Sequence, residues 1–248
     1  MKQRSAWGSL NYAGQDGSFK VMEAGSHART VFTSALTDLE HDLLEMGSLA
    51  ETMVGLAVDA LVGLDPDGAM AVIERDDEID RLDLDIESRC IQLLALQHPM
   101  AGDLRIVGTA MKMITDLERI GDLSVDIAKA ALKIDKELGQ TSYVDIPQMA
   151  SIARSMIRHA LEAYVKRDLG LVASVISQDD EVDALYRSLR GQVHEHMRNE
   201  PEDVVAASWL MLAIHHIERI ADHAVNIAER VSFMVTGKFE QLRGDTES

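Results

Sequence analysis

Leu117-Glu-Arg-Ile-Gly-Asp-Leu-Ser-Val-Asp-Ile-Ala-Lys129 returns as Ile217-Glu-Arg-Ile-Ala-Asp-His-Ala-Val-Asn-Ile-Ala-Glu229, with seven of thirteen positions identical at an offset of 100. A second block repeats in the same order. Val72-Ile-Glu-Arg-Asp-Asp-Glu-Ile-Asp-Arg-Leu82 matches Val175-Ile-Ser-Gln-Asp-Asp-Glu-Val-Asp-Ala-Leu185 at seven of eleven positions, at an offset of 103. The three-residue difference falls between the blocks, where Pro99 and Pro201 mark turns that tolerate length changes. Two collinear matches with one small gap make the chain an internal duplication.

Helical periodicity runs outward from these blocks. Leu36, Leu39, Leu43, Met46, Leu49, Met53, Leu56 and Ala60 recur at spacings of three and four. Asp65-Pro66-Asp67-Gly68 ends this helix and opens the next, with Asp65 suited to cap and Pro66 to the first helical position. Pro99 and Gly102 mark another turn, and Gly139 to Pro147 reads as a linker. The pattern predicts helices at about 27–62, 65–97, 101–138, 147–168, 169–197 and 201–236. The fold class is therefore all-α, two tandem, structurally similar three-helix bundles, at 26–139 and 145–237. Residues 1–25, rich in Gly and Ser, read as a flexible tail, and 238–248 as a second one.

Composition agrees. Hydrophobic residues are 46% of the 248, aromatics only 4%, so Leu, Ile, Val, Ala and Met must fill the core. Net charge is −18, which repels phosphate backbones and argues against a nucleic-acid partner. Cations and basic protein surfaces suit it better. The single cysteine, Cys90, lies on an apolar helical face and reads as packed and inert. The N-terminus shows no apolar core of signal-peptide length. The most apolar run, Val204 to Ile214, is short of the ~20 residues that span a bilayer, so membrane association would go through a partner. No Gly-rich phosphate loop, nucleophile elbow or Cys pair is present, which argues against an enzyme.

The carboxylates carry the most information. Glu118, Asp122 and Asp126 are four apart and border the stripe of Ile114, Leu117, Gly121, Val125 and Ala128. Asp76, Asp80, Asp83 and Glu87 border Ile79, Leu82, Ile86 and Cys90 in the same way. Two helices packed through these stripes would bring two acidic rows to one seam. Like charges at i,i+4 cost about 0.2–0.5 kcal/mol per pair, so the seam needs counter-charge, from Arg119 and Arg219 or from a multivalent cation. Oxygen donors without Cys select hard ions: Mg²⁺, Mn²⁺, Ca²⁺ or ferric iron. The second copy supplies Asp179, Asp183, Glu218 and Asp222, with Asn226 in place of Asp126 and with His216 and His223 nearby. A solvated helix face is the simpler reading of one such row. Its recurrence, paired, in both copies favours a site. Gly121 reads as a close helix contact.

At Glu118-Arg-Ile-Gly-Asp122 and Glu218-Arg-Ile-Ala-Asp222 the chain resembles the PhoU family, the phosphate-specific transport system accessory proteins of bacteria. Leu43-Leu-Glu-Met-Gly47, Asp76-Asp-Glu-Ile-Asp80 and Pro99-Met-Ala-Gly-Asp-Leu-Arg105 support it, and the resemblance extends from about 27 to 236. It implies two similar three-helix bundles carrying multinuclear metal clusters of iron, manganese or magnesium. The implied metal residues are Asp76/Asp80 with Glu118/Asp122, and Asp179/Asp183 with Glu218/Asp222; Asp126 and Asn226 would assist from one turn further on. It further implies a cytoplasmic homodimer that negatively regulates phosphate uptake and the phosphate-starvation response. Its implied partners are the ATPase of the Pst transporter and a PhoR-type sensor kinase. Two other readings remain at this point: a ferritin-like carboxylate metalloenzyme or metal store, and a metal-free adaptor whose acidic rows bind basic surfaces. The ferritin-like reading needs Glu-x-x-His pairs on two helices, which the sequence does not show.

Overall fold

A computed structural model describes residues 16–97, 101–134 and 145–238. These form seven α-helices and one 3-10 turn, with no strand among the described residues. In chain order they are α1 (Asp16–Gly63), α2 (Pro66–Glu74), α3 (Asp76–Gln97), α4 (Ala101–Ala131), α5 (Asp145–Lys166), α6 (Leu169–Asn199), the 3-10 turn (Pro201–Asp203) and α7 (Val204–Thr236). The first copy is α1 to α4 and the second is α5 to α7.

Three boundaries differ from the sequence reading. Helix α1 begins at Asp16, so residues 16–25 of the expected tail are helical. The helix formers Lys20, Met22, Glu23 and Ala24 carry the pattern through Gly25, whose cost in a helix is only about 1 kcal/mol. Residues 1–15, with Trp7 and Tyr12, lie outside the described residues, as do 98–100, 135–144 and 239–248, which hold the Pro99 turn and most of the linker and C-terminal tail. Second, the helix expected over 65–97 is two helices. The Arg75 N–H turns back to Val72 O at 3.1 Å, and the acidic run Asp76, Asp77, Glu78 starts afresh at the positive end of α3. The corresponding position in the other copy, Gln178, sits inside an unbroken α6, bonded to Ser155 and facing the His159 ring at 2.9 Å. Third, α4 ends at Ala131 rather than about 138. The Asp65 cap is as expected: its carboxylate accepts from the Asp67 N–H at 3.1 Å, and Pro66 opens α2.

The two copies share one core. A continuous cluster of buried side chains runs from Leu39 and Leu43 on α1 through Ile79, Ile86 and Leu117 to Ile157, Val182, Ile217 and Val231. Helices α4 and α7 pack together across the copies, and α1 packs on α5. The α4/α7 pair is antiparallel. Arg105 at the start of α4 donates from Nε to Met234 O at the end of α7, 3.2 Å away, and Asp116 meets His223 at 2.9 Å. Glu51 on α1 is held by Arg154 at 3.1 Å and by Arg158, both on α5. Arg167, in the α5–α6 turn at φ 57°, reaches Glu40 at 2.7 Å. Helix packing and partly exposed ion pairs thus join two bundles into one body.

Helices in the stretches Thr30–Gly63 and Pro201–Thr236 each hold an 18-residue window apolar enough by composition to cross a membrane, with 50% and 44% of that window buried inside the protein. The run Val204 to Ile214 understated this, because such a window tolerates two charges. These stretches build the shared core, which accounts for their composition.

Cys90 is fully buried, and burial pushes its thiol up to about 12, so it is unreactive as expected. Gly121 fills the role read for it. A Cβ there would lie 3.2 Å from Ile79 Cγ2 on α3. The other copy trades the methyl the other way, with Ala221 and the smaller Val182 at the same places. Ile79→Val should therefore make Gly121→Ala more favourable by about 0.5–1 kcal/mol, as contacting residues couple. Urea unfolding of the two single variants and the double variant measures that coupling. Strict additivity would mean the two positions do not meet.

Candidate metal centre

The close approach at Gly121 sets the distance between α3 and α4, and the acidic rows flank it. Ile79, Ile86 and Cys90 on α3 and Ile114, Leu117 and Gly121 on α4 are buried. The carboxylates one position round are forced to the rim of that contact. Asp76, Asp83 and Glu118 are half-buried, while Asp80 and Glu87 are exposed.

The rows act on one another. Burial first, then the Asp80 and Asp122 carboxylates, hold Asp76 above the usual carboxylate range, with Lys129 opposing. Glu118 is raised by burial, then by Asp122, against Arg119, with Asp83 and Asp80 adding to the rise. Asp83 is raised by burial, then by Glu87 and Asp80. Asp76 and Asp80 therefore share a seam with Glu118 and Asp122, as the sequence reading expects. Arg119 pairs with Glu118 at 3.4 Å and with Asp122 at 2.8 Å, and Lys129 with Asp126 at 3.2 Å. Lys129 opposes the rise at Asp76 and Arg119 the rise at Glu118, without cancelling burial and the neighbouring carboxylates.

The second seam lies between α6 and α7. The Tyr186 ring on α6 is 6.0 Å from the His215 ring on α7. His215 Nδ1 lies 3.2 Å from Glu218 Oε2, and Asp183 pairs with Arg187 at 3.6 Å. Asp179 and Asp222 are half-buried on the same two helices.

Asn226 departs from the expected set. Its Nδ2 donates to Asp116 Oδ1 on α4 at 3.4 Å, beside His223, whose Nδ1 is 2.9 Å from the same oxygen. Asp126 faces the equivalent place: it acts on His216, whose pKa is lowered by burial and pulled back up by Asp126. Both residues sit one turn beyond their rows, where the helix has rotated toward the α4/α7 crossing. His216 and His223 belong to this crossing as well, so the histidine nearest the second seam is His215. Sequence reading passed over Asp116 and took His215 for a surface or helix-end histidine. The offset of 100 pairs 116 with 216 and 126 with 226, and an antiparallel crossing of α4 and α7 would have matched them.

The donor set of the first seam is all oxygen and suits a hard multivalent cation. Its spacing is open. Among the described residues, the one trio of donors within 4.8 Å of one another is His41, Asp42 and Glu45 on α1, where Arg89 already pairs with Asp42 at 3.0 Å. The seam carboxylates stand further apart, and Glu118 and Asp122 lean toward Arg119. A cation would have to draw them in by side-chain rotation. The residues suit such an ion in charge and donor type, and Asp76, Asp80, Glu118 and Asp122 are the ones that would hold it.

The PhoU domain model matches the chain twice, at residues 43–131 and 146–231. The chain belongs to the PhoU family. Each PhoU domain match ends just past one acidic motif of α4 or α7. The chain is 36% identical over 211 residues to the phosphate-specific transport system accessory protein PhoU homolog of Clostridium acetobutylicum, covering 85% of this chain and 96% of that one. The homolog of the same name from Pseudomonas aeruginosa is 35% identical over 213 residues, covering 85% and 88%. Two crystal structures have the same fold. PhoU from Pseudomonas aeruginosa superposes with a TM-score of 0.79 at 35% identity, over 84% of this chain and all of that one. The phosphate transport system regulatory protein PhoU from Streptococcus pneumoniae gives 0.80 at 31%, over 85% and 100%. Members of the PhoU family are accessory and regulatory proteins, and this chain is one of them rather than an enzyme.

Proposed function

We propose that the chain is a metal-binding adaptor that restrains phosphate uptake and the phosphate-starvation response. The relatives' names tie them to a phosphate-specific transport system, which supports the same setting here. The observation that supports the metal part is the first seam, where burial, and after it the neighbouring carboxylates of α3 and α4, raise Asp76 and Glu118 on a shared rim. Carboxylates held in mutual repulsion are a standing demand for cations. Iron, manganese and magnesium fit the oxygen donors, and a cation drawing α3 to α4 would change the surface a partner meets. The partners in this reading are the transporter's ATPase subunit and a PhoR-type sensor kinase. The protein works in the cytoplasm as a homodimer, where a reduced, buried Cys90 is at home, and reaches the membrane through the transporter.

Deletion of the gene tests the regulatory part. Alkaline phosphatase should become constitutive in high phosphate, and the wild-type gene should restore repression. Repression that persists in the deletion strain would overturn the reading. Arg119 bound to Glu118 and Asp122 favours one second reading, in which the acidic rows grip basic partner surfaces without metal. Elemental analysis of the purified chain beside the Glu118→Ala, Asp122→Ala double variant separates the two. Equal metal content would favour the metal-free adaptor.

A further inference from the structure

The two halves carry the same acidic run on helices built differently at one point. Asp76-Asp-Glu78 follows a break at Arg75, and Asp179-Asp-Glu181 is preceded by Gln178 inside the unbroken α6. An offset of 103 carries the left-handed residue Leu64 onto Arg167 and the Asp65 cap onto Asp168, so the surroundings of the two runs correspond. The break is a pair of tight turns. Arg75 N–H bonds to Val72 O, and Glu78 N–H in turn donates to Arg75 O, 3.1 Å away. Such i→i+3 turns inside a helix often mark hinges.

Charge explains why the chain breaks there. A helix end favours a cation, and a helix start favours anions. Arg75 closes α2, and Asp76, Asp77 and Glu78 open α3. A continuous helix forfeits both gains. With the acids neutralised the second gain disappears, and the i→i+4 bonds of an unbroken helix decide. In the other half Gln178 removes the cation and adds a tie. Its Nε2 donates to Ser155 Oγ at 3.1 Å, and its Oε1 faces His159 Nδ1 at 2.9 Å, both on α5. The matching positions of α1 are Thr52 and Leu56. Thr52 gives its hydroxyl to Ser48 O on its own helix at 2.8 Å, and Leu56 has no polar group, so these positions offer no such tie.

We propose that the Arg75 joint is a charge-operated switch: α2 and α3 stay broken apart while the carboxylates around the first turn of α3 are bare, and join into one continuous helix when these are neutralised, whereas Gln178 locks α6 in the continuous form. For its natural trigger, a cation at the first seam, this rests on the metal reading above. Helix α2 is the moving part. It is nine residues long, buries Ala69 and Val72, and leaves Met70 exposed, so its direction sets the surface beside the seam. Duplication followed by divergence then gives one half that responds and one half that holds still.

Amide hydrogen exchange of the full chain, freed of metal by chelator, reads the joint directly. After correction for intrinsic rates, residues 73–79 should exchange about tenfold or more faster than residues 176–182. Excess Mn²⁺ should close most of that gap and leave 176–182 unchanged. Asp77→Asn with Glu78→Gln, neither of them a holder of the cation, should close it without metal. Gln178→Ala should raise exchange at 176–182 by removing the tie to α5. Equal protection of the two segments, a gap indifferent to the charge-removing pair, or a gap that bound Mn²⁺ leaves open overturns the switch. A gap that the pair closes in a chain that takes up no Mn²⁺ by calorimetry overturns the metal reading and leaves the charge-operated joint standing.

Discussion

Leu117→Ala should lower the unfolding free energy by about 3–4 kcal/mol, the cost of a core leucine plus the cavity it leaves. Leu117 is fully buried on α4, and α4 packs against α1, α2, α3 and α7. A hole there opens in the shared core, and the rigid helices packed around α4 cannot collapse into it. At about 2–4 °C per kcal/mol for a chain of this size, the melting temperature should fall by about 6–16 °C. Leu84 is the internal control. It is 64% exposed on α3, and Leu84→Ala should change stability by no more than about 0.5 kcal/mol. Urea titrations of both variants decide it. A Leu117→Ala loss below about 1 kcal/mol would mean α4 is not the centre of the core.

Glu118→Gln with Asp122→Asn should do two opposite things. It should weaken cation binding at the first seam by about 100-fold, or about 2.8 kcal/mol, if each carboxylate is worth a factor of ten. It should also stabilise the metal-free protein at pH 7 by about 0.5–1 kcal/mol, because like-charge pairs along and between the rows disappear. Gln and Asn keep the side-chain shapes, so the change is one of charge. Arg119 loses both partners, but it is half-exposed and the loss is small. The pH dependence follows from the raised Glu118 and Asp76 carboxyls. A carboxyl raised in the folded chain binds its proton more tightly folded than unfolded. Its penalty is absent below the unfolded pKa of about 4 and complete above the folded one. The metal-free wild type should thus gain stability from these groups as pH falls toward the ordinary carboxylate range. The advantage of the double variant should shrink over the same interval. Urea unfolding at pH 4.5 and pH 7, with chelator present, measures both. A variant less stable than wild type at pH 7 would show that the Arg119 pairs outweigh the repulsion.

Much of this architecture was legible because duplication writes a pattern twice. The matched blocks around Asp76 and Glu118 placed four of the helices, and the 3.6-residue period put the carboxylates beside the apolar stripes. The break at Arg75 was not legible. Glu74, Arg75 and Glu78 are good helix formers, and the same Asp-Asp-Glu run lies inside an unbroken α6 in the other copy, so only the turn geometry separates α2 from α3. Nor was the position of Asn226. Period alone kept it in the row with Glu218 and Asp222. Four residues advance a helix by 40° past a full turn, and two such steps carry the side chain to another neighbour.

The sequence by itself determined the all-α class, the two copies, the buried stripes and the acidic rows beside them, because each depends on spacing within one helix. The tertiary structure decided which rows meet. It joined the copies through α4 and α7, gave Asn226 and His223 to Asp116, and set His215 against Glu218. Contacts between helices depend on crossing angle and on close approaches such as Gly121 against Ile79. Those are properties of paired surfaces, and no single helix encodes its partner's.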